Sequence, residues 1–276
     1  MRHARALFPL ARSEGTANVE RVLGVIPARL GSQRLPRKPL HPLAGRPLIA
    51  WVWARVSTFG VLDGAVVATD AAEIAEACRT AGATVVMTSA AHGTGTERVA
   101  EVASRPEYDG YDIIVNVQGD EPFIEEAHVA VAVAQVRQGW AVGTVATPVK
   151  TLEAWRDPAV VKLTRRPNGA ALYFSRAPIP YSRDGTPGPE ALASSAYLRH
   201  VGVYAYRREA LLRWVALPEA ELETIERLEQ LRALAAGINI GVGVVDHADG
   251  GIDTPEDAKR ADARLRRLTP DLREEA

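Results

Sequence analysis

Short apolar runs alternate with helix-like stretches along most of this chain, and that alternation constrains its fold more than any other feature. The candidate strands lie at 22–26, 64–69, 83–88, 112–117 and 141–147. Between them, apolar residues recur at helical spacing, and two of the stretches end at a glycine. Strands that are apolar throughout are typical of a parallel sheet covered on both faces. We therefore predict an α/β fold built on a doubly wound, mostly parallel sheet.

A different pattern begins near residue 158. The run at 160–176 predicts a hairpin around a Pro-Asn-Gly turn, and a loop rich in Pro, Gly and Ser follows it. The later elements are predicted as a strand at 200–206, a helix at 208–216, a long amphipathic helix at 222–237, a strand at 238–245 and a helix at 254–268. We expect the hairpin and the loop to form a lobe inserted at about 150–210 in a single domain.

Composition narrows the domain organisation and the possible function classes. A chain of 276 residues can bury the core of one large domain, which we place at 22–268, between a flexible extension at 1–21 and a tail at 269–276. The formal net charge of -1 argues against a nucleic-acid or membrane-surface partner, so any basic site must be local. The single cysteine, Cys78, excludes an intrachain disulfide and favours a reduced, cytoplasmic setting.

The first predicted strand runs into a basic loop, VIPARLGSQRLPRKPL at 25–40. Ligands of α/β sheets bind beyond the carboxyl ends of the strands, so this loop could grip a nucleotide polyphosphate. Backbone N–H groups could reach phosphate oxygens at Gly31 and Ser32, and the charge comes from Arg29, Arg34, Arg37 and Lys38. Neither a Walker A loop nor a dinucleotide fingerprint is present. The alternative is a solvated basic turn.

Two acidic stretches could complete a phosphate site. Gln118, Asp120 and Glu121 come directly after the apolar strand at 112–117, and Asp253 lies between Gly-Gly and a helix start. Carboxylates there could hold Mg²⁺, which binds through one or two carboxylates plus phosphate oxygens. Taken alone, the first stretch could be an ordinary acidic turn and the second a plain helix cap. Both make sense together if they surround one metal-bound triphosphate.

Residue types alone leave several other positions open. Thr94, Gly95 and Thr96 stand at a predicted helix start with Arg98 in the first turn, where either an anion site or a simple cap would fit. His200 could be a buried, hydrogen-bonded histidine. The pair at 229–230, Glu229 and Gln230, would ordinarily be a solvated helix face.

Eight segments occur in order over almost the whole chain after the extension. They are VIPARLGSQRLPRKPL, VVATD, HGTGTERVAEV, IIVNVQGDEPFI, ALYFSRAPIPYSRDG, LRHVGVYAYR, LEQLRAL and GIDTPEDAKRA. Together these segments resemble one family, the 3-deoxy-manno-octulosonate (Kdo) cytidylyltransferases, or CMP-Kdo synthetases. The first segment is shared with relatives that activate other sugars. NVQGDEP, YFSRAPIP, RHVGVYAY and LEQLR together are specific to this branch.

The resemblance implies a Rossmann-like nucleotidyltransferase fold and a reaction. A sugar hydroxyl attacks the α-phosphorus of CTP, pyrophosphate leaves and a CMP-sugar forms, with Mg²⁺ as cofactor. The family commonly forms homodimers and serves lipopolysaccharide biosynthesis, so we expect both here, with CTP and a sugar acid as partners. The transfer needs mostly positioning and charge neutralisation.

The resemblance also assigns roles by position. It makes Arg29, Arg34, Lys38, Asp120 and Asp253 the catalytic set, the two acids as magnesium ligands. The nucleotide would contact Pro27, Ala28, Arg29, Ser32, Arg34, Lys38, Thr94, Gly95, Arg98 and Gln118. The sugar acid would contact Gln118, Arg176, His200, Tyr204, Glu229 and Gln230. The planar fork of Arg176 suits a carboxylate.

Some features depart from the family pattern. Arg37 stands where glycine is common, and the matches at 182–196 and 238–251 are looser. One alternative is therefore a nucleotidyltransferase of the same fold that uses a different hydroxyl acceptor in capsule or secondary metabolism. Another is a nucleotide-binding regulatory protein that has lost turnover. The presence of Arg34, Lys38, Asp120 and Asp253 argues against that loss.

Overall fold

The computed structural model describes residues 20–32 and 34–268. The predicted extension at 1–21 lies outside them except for its last two residues, and the tail at 269–276 lies wholly outside. The strands are β1 Val22–Ala28, β2 Pro42–Leu43, β3 Arg46–Pro47, β4 Gly64–Thr69, β5 Val85–Met87, β6 Ile113–Asn116, β7 Val142–Pro148, β8 Lys162–Arg165, β9 Ala171–Ser175, β10 Leu198–Arg207 and β11 Ile240–Val244. The helices are α1 Leu48–Val56, α2 Ala72–Thr80, α3 Gly95–Ala103, α4 Glu126–Arg137, α5 Leu152–Arg156, α6 Pro189–Leu192, α7 Arg208–Val215, α8 Glu221–Glu226, α9 Gln230–Ala235 and α10 Pro255–Leu268.

A central sheet carries the fold, in the order β11-β7-β10-β6-β1-β4-β5. The pairs β6–β1, β1–β4, β4–β5 and β11–β7 are parallel, whereas β10 runs antiparallel to both of its neighbours. The mostly parallel sheet confirms the predicted α/β class. Since parallel strands end at one edge, the loops after β1 and β6 come together.

Both faces of the sheet are covered, which explains why its strands are apolar throughout. In β1, Val22 and Ile26 join the core cluster on one face, while Leu23 and Val25 join the cluster on the other. This alternation follows from the two-residue period of a strand. Burial on both faces removes the polar positions that a half-exposed strand would show.

The inserted lobe is smaller than the sequence suggested. The predicted hairpin exists as β8 and β9, which pair with each other, and β8 pairs with the start of β10. However, β10 lies in the middle of the central sheet between β6 and β7. The predicted lobe at about 150–210 therefore ends too late, because its last strand belongs to the main sheet.

The predicted helix at 222–237 is wrong as a single element. It is divided into α8 and α9, and the break is at Arg227, whose φ of 52° is left-handed. The break buries Leu228 and brings Glu229 to the hydroxyls of Thr94 and Thr96, a contact that a continuous helix would not provide.

An ion pair across the break fixes the angle between the two helices. The Nε and Nη2 atoms of Arg232 each lie 2.7 Å from a carboxylate oxygen of Glu223. This two-point contact is the strong geometry for arginine with a carboxylate.

Within the described residues, no helix is long and apolar enough to span a bilayer.

One close approach between a helix and the sheet gives a test of this packing. A Cβ atom added at Gly143 on β7 would lie 2.1 Å from the carbonyl oxygen of Ala132 on α4. Backbone atoms cannot move aside cheaply, so we expect Gly143→Ala to lower the free energy of unfolding by about 2 kcal/mol or more.

The control is Gly60→Ala, whose added atom would lie 3.5 Å from Glu126 Oε1, an ordinary contact distance. We expect this variant to change stability by less than about 0.5 kcal/mol. Urea unfolding of both variants and the parent protein measures the difference. Equal stability of the two variants would contradict the described contact of α4 with β7.

Candidate active site

The basic loop after β1 and the acidic residue after β6 meet at the carboxyl edge of the sheet. Lys38 Nζ contacts Asp120 Oδ2 and lies 2.9 Å from Asp253 Oδ1. Arg34 Nη2 lies 3.1 Å from Asp253 Oδ2. The structure therefore brings together four of the five residues predicted to be catalytic, from three distant parts of the chain.

Charge decides the protonation of this cluster. Burial lowers the pKa of Lys38, but the negative charges and hydrogen bonds of Asp120 and Asp253 outweigh burial, so its pKa lies above the ordinary value. Lys38 is thus a permanent cation between two carboxylates at neutral pH. Its charge offsets the repulsion between the two acids.

The neighbouring cation, Arg37, has a different surrounding. Its side chain is exposed and pairs with Glu73 on α2. Its φ of 54° lies in the left-handed region, which costs little for glycine and about 1 kcal/mol for other residues. That conformation would suit the glycine that the family resemblance implies at this position. Arg37 does not line the cavity described next.

A cleft of about 570 Å³ opens above this cluster, and we call it the outer cleft. All ten residues predicted for the nucleotide line it, together with both predicted magnesium ligands. The full lining is Pro27, Ala28, Arg29, Gly31, Ser32, Arg34, Lys38, Pro39, Thr94, Gly95, Arg98, Gln118, Gly119, Asp120, Glu229 and Asp253. The lining includes four cations, so positive charge from four side chains reaches one cavity.

The start of α3 forms one wall of the outer cleft. Thr94 caps the helix in a capping box with Glu97, so its N-terminal end is well formed. A helix of this length presents partial positive charge at that end. Arg98 in the first turn is 2 % exposed, with Nη2 3.3 Å from Asp70 Oδ2 and Nη1 on the Thr88 hydroxyl. Arg98 is therefore anchored rather than free.

A second cavity of about 200 Å³ adjoins the first, and we call it the inner cavity. Gln118 and Glu229 line both, so they mark the junction. The remaining lining is Thr96, Asn116, Val161, His200, Gly202, Tyr204, Tyr206, Trp214, Arg227, Leu228 and Gln230. Five of the six residues predicted for the sugar acid are present. Burial raises the pKa of Glu229 at the junction, against the hydrogen bonds from Thr96 and Thr94.

Arg176, the sixth, does not line the inner cavity. Its Nε donates to the carbonyl oxygen of Glu226 at 2.8 Å and its Nη1 to that of Pro158 at 2.9 Å. These carbonyls occupy the fork that was expected to meet a carboxylate. The proposed carboxylate contact of Arg176 has no support in this arrangement.

His200 is held as a neutral ring. The Thr144 hydroxyl donates to the Val203 carbonyl at 2.8 Å and lies 2.9 Å from His200 Nε2, so Nε2 must carry the proton it shares with Thr144. Nδ1 is then a hydrogen-bond acceptor. Burial, with the charge of Arg199 adding to it, lowers the pKa of His200 to about 3. His200 can therefore accept from a hydroxyl but cannot supply charge.

Glu121 stands apart from Asp120 although the two are adjacent in sequence. Burial raises its pKa to about 8, and the charge of Asp120 adds to that shift. It lines neither the outer cleft nor the inner cavity, and a Cβ atom at Gly202 would come within 2.9 Å of its Oε1. Sequence alone does not show that these two neighbouring acids have different surroundings.

The inner cavity contains residues that sequence reasoning missed. Tyr206, Trp214 and Leu228 look like ordinary core residues, because aromatic and aliphatic side chains in strands and helices usually are. Asn116 carried a signal that was not used: it is the one polar residue inside the apolar run DIIVNV apart from its leading aspartate. Arg227 gave no signal.

The metal prediction can be compared with the donors present. Among residues 20–32 and 34–268, no group of three or more His, Cys, Asp or Glu side chains is placed to hold a metal ion. Asp120 and Asp253, which both contact Lys38, are only two carboxylates. Two are enough for Mg²⁺, because this ion takes one or two carboxylates and fills its shell with water and phosphate oxygens.

The neutral state of His200 predicts a pH dependence of stability. Below about pH 6.5 the unfolded chain protonates this histidine, whereas the folded protein keeps it neutral down to about pH 3. The folded protein therefore loses stability as the pH falls through this window. His200→Gln, which cannot titrate, should lack that loss.

Urea unfolding of both proteins at pH 7.5 and pH 5 tests this. We expect the parent protein to lose up to about 2 kcal/mol more than His200→Gln, with less if solvent reaches the ring through the cavity. Parallel pH dependence of the two proteins would show that His200 is not held neutral.

Comparison with known proteins gives a consistent result. A family model described as "Cytidylyltransferase" matches residues 23–240. A 3-deoxy-manno-octulosonate cytidylyltransferase of Gemmatimonas aurantiaca is 52 % identical over 241 residues, covering 87 % of this chain and 92 % of its own. One of Xanthomonas campestris pv. campestris is 48 % identical over 246 residues, covering 87 % of each chain.

Solved structures agree. A CMP:2-keto-3-deoxy-manno-octonic acid synthetase complexed with CTP superposes with a TM-score of 0.82 at 37 % identity, over 90 % of this chain and 100 % of that one. A 4-diphosphocytidyl-2C-methyl-D-erythritol synthase from Anaerococcus prevotii shares the fold alone, with a TM-score of 0.58 at 14 % identity over 90 % and 96 % of the two chains. By sequence and by structure, the chain belongs to the 3-deoxy-manno-octulosonate cytidylyltransferase family.

Proposed function

We propose that this protein transfers CMP from CTP to the hydroxyl of Kdo, forming CMP-Kdo and releasing pyrophosphate. The observation that carries the proposal is the pair of adjoining cavities. The outer cleft is lined by cations, by the three acids Asp120, Glu229 and Asp253, and by a helix N-terminus. The inner cavity is lined by hydrogen-bonding groups of little net charge. A nucleoside triphosphate fits the first chemistry and a hydroxylated sugar the second.

Arg29, Arg34 and Lys38 are proposed to bind the triphosphate. It brings roughly four negative charges, and the leaving pyrophosphate gains more as the P–O bond breaks. Cations placed in advance lower that barrier by about 3 kcal/mol for each well-aimed group. The Pro27–Ala28 backbone and the start of α3 would hold the cytidine, since both line the outer cleft.

Asp120 and Asp253 are proposed to hold Mg²⁺ when the nucleotide is bound. The ion would neutralise phosphate charge and help to align the triphosphate. In the free protein Lys38 occupies the space between these acids. Its flexible side chain can turn from the carboxylates to a phosphate group, because an ammonium donates in three directions.

The sugar acid is proposed to lie in the inner cavity. His200 would accept a hydrogen bond from a sugar hydroxyl at Nδ1, and Gln118, Glu229 and Gln230 offer further polar groups near the junction. The attacking hydroxyl would then face the outer cleft and the α-phosphorus. Positioning of this kind can supply much of the rate enhancement without a covalent intermediate.

The setting of the reaction is also proposed. Family membership supports a cytoplasmic homodimer that supplies activated sugar for lipopolysaccharide. Transfer to another 3-deoxy-ulosonic acid or a different hydroxyl acceptor, in capsule or secondary metabolism, is the second candidate. It is favoured by the loose family matches at 182–196 and by the position of Arg176 outside the inner cavity.

A pyrophosphate-release assay with CTP, Mg²⁺ and a panel of sugar acids tests the proposal. Release with Kdo supports it. Release only with another acceptor would support the second candidate. Binding of CTP without release from any acceptor would indicate a nucleotide-binding protein without turnover.

The role of Lys38 gives a sharper prediction, because a matched cation lies next to it. We expect Lys38→Met to lower kcat with CTP and Kdo by about 100-fold or more, since it removes a fixed charge from the transferring group. Expressed as free energies, the loss of unfolding stability should be much smaller than the rise in the activation barrier. Steady-state kinetics and urea unfolding measure both.

The control is Arg37→Gly. It removes an equal charge from the same loop but lies outside the cleft, and glycine relieves the left-handed backbone. We expect turnover within about twofold of the parent protein and no loss of stability, because the exposed pair with Glu73 is worth at most about 1 kcal/mol. Equal turnover of Lys38→Met and Arg37→Gly would refute the role of Lys38.

A further inference from the structure

Four buried side-chain polar atoms have no hydrogen-bond partner within the described part of the chain. They are Asn116 Oδ1, Thr147 Oγ1, Tyr204 Oη and Asp249 Oδ2. Such atoms are rare in folded proteins, because a buried polar group without a partner costs its full desolvation. Two of the four, on Asn116 and Tyr204, belong to residues that line the inner cavity. Their concentration there calls for an explanation.

Asn116 lies where packing alone would favour a hydrocarbon. It is the last residue of β6, is 2 % exposed, and its Cα pairs with Val25 on one side and Tyr204 on the other. By the two-residue period of the strand it shares its face with Ile114, a member of the apolar cluster that also holds Tyr204. Valine or isoleucine would pack there at no polar cost.

The orientation of the amide is fixed on one side. Asn116 and Thr96 both hydrogen-bond to the hydroxyl of Tyr206. The Tyr206 ring is held by Tyr204, stacked at 5.8 Å, and by the edge of Trp214 at 5.6 Å. With the amide nitrogen donating to Tyr206, the acceptor Oδ1 is the atom without a partner.

We propose that Asn116 is a specificity residue for the acceptor, with Oδ1 accepting a hydrogen bond from a hydroxyl of the bound sugar acid. This inference rests on the proposed function. A carbonyl oxygen selects a donor: it suits a hydroxyl and rejects a carboxylate or a hydrogen atom in the same place. A site built this way discriminates against the analogue that lacks the group, because its own polar atom is then left buried and unpaired. The hydroxyl oxygen of Tyr204, which also lines the inner cavity, is a second buried polar atom without a hydrogen-bond partner among the described residues.

The test compares Asn116→Val with Thr147→Val in the pyrophosphate-release assay. Thr147 is the matched control, since it is also a buried residue with an unpartnered oxygen but lines neither cavity. We expect Asn116→Val to raise KM for Kdo about 10-fold or more and to leave KM for CTP within twofold. Thr147→Val should change neither. Asn116→Val with an unchanged KM for Kdo, or with both KM values raised together, would overturn the proposal.

Acceptor analogues that each lack one hydroxyl identify the partner group. For one analogue the parent protein should lose about 10-fold in kcat/KM, and Asn116→Val should lose nothing further, because the same contact is already gone. Additive losses for every analogue would overturn the proposal. If the variant does not fold, the parent protein decides: equal kcat/KM for all analogues and Kdo would overturn it.

The two proposals fail in different ways. A parent protein that releases no pyrophosphate with Kdo would refute the proposed function. A parent protein that is active with Kdo, together with an Asn116→Val variant of unchanged acceptor KM, would refute only the role of Asn116.

Discussion

The candidate active site depends on the contact of one lysine with two carboxylates. Lys38 meets Asp120 and Asp253, which lie 82 and 215 positions away in the chain. The parallel order of β1 and β6 brings the first pair to one edge of the sheet, and the loop before α10 brings the third residue. The ammonium group of Lys38 places one positive charge against both carboxylates. The basic loop therefore stabilises the free protein with the same charges that would bind a nucleotide.

Charge is divided between the two cavities. The outer cleft carries Arg29, Arg34 and Lys38, whereas His200 in the inner cavity is neutral because burial lowers its pKa. A charged triphosphate and a hydroxylated acceptor are therefore recognised by different physics, Coulomb attraction in one place and directed hydrogen bonds in the other. Attraction gives binding strength with little discrimination, and hydrogen bonds made by buried groups discriminate strongly.

The sequence predicted the parts of this account that depend on local pattern. Alternating apolar runs indicated the sheet, and the position of Lys38 and Asp120 just after strands placed them at one edge. The break at Arg227 was missed because apolar periodicity does not show which tertiary contacts a break would allow. Here the break buries Leu228 and brings Glu229 to Thr94 and Thr96. The orientation of Arg176 was missed because it depends on the carbonyl oxygens of Pro158 and Glu226, which lie in other parts of the chain. Asn116 was missed because a polar residue in an apolar strand becomes informative only when its neighbours are known.

The most direct test is a crystal structure of the protein with Mg²⁺ and a CTP analogue that cannot be cleaved at the α-phosphorus. The account predicts the triphosphate in the outer cleft, with Lys38 on a phosphate oxygen and Asp120 and Asp253 on the metal beside it. A nucleotide bound with these two carboxylates well away from its phosphorus atoms would contradict the account.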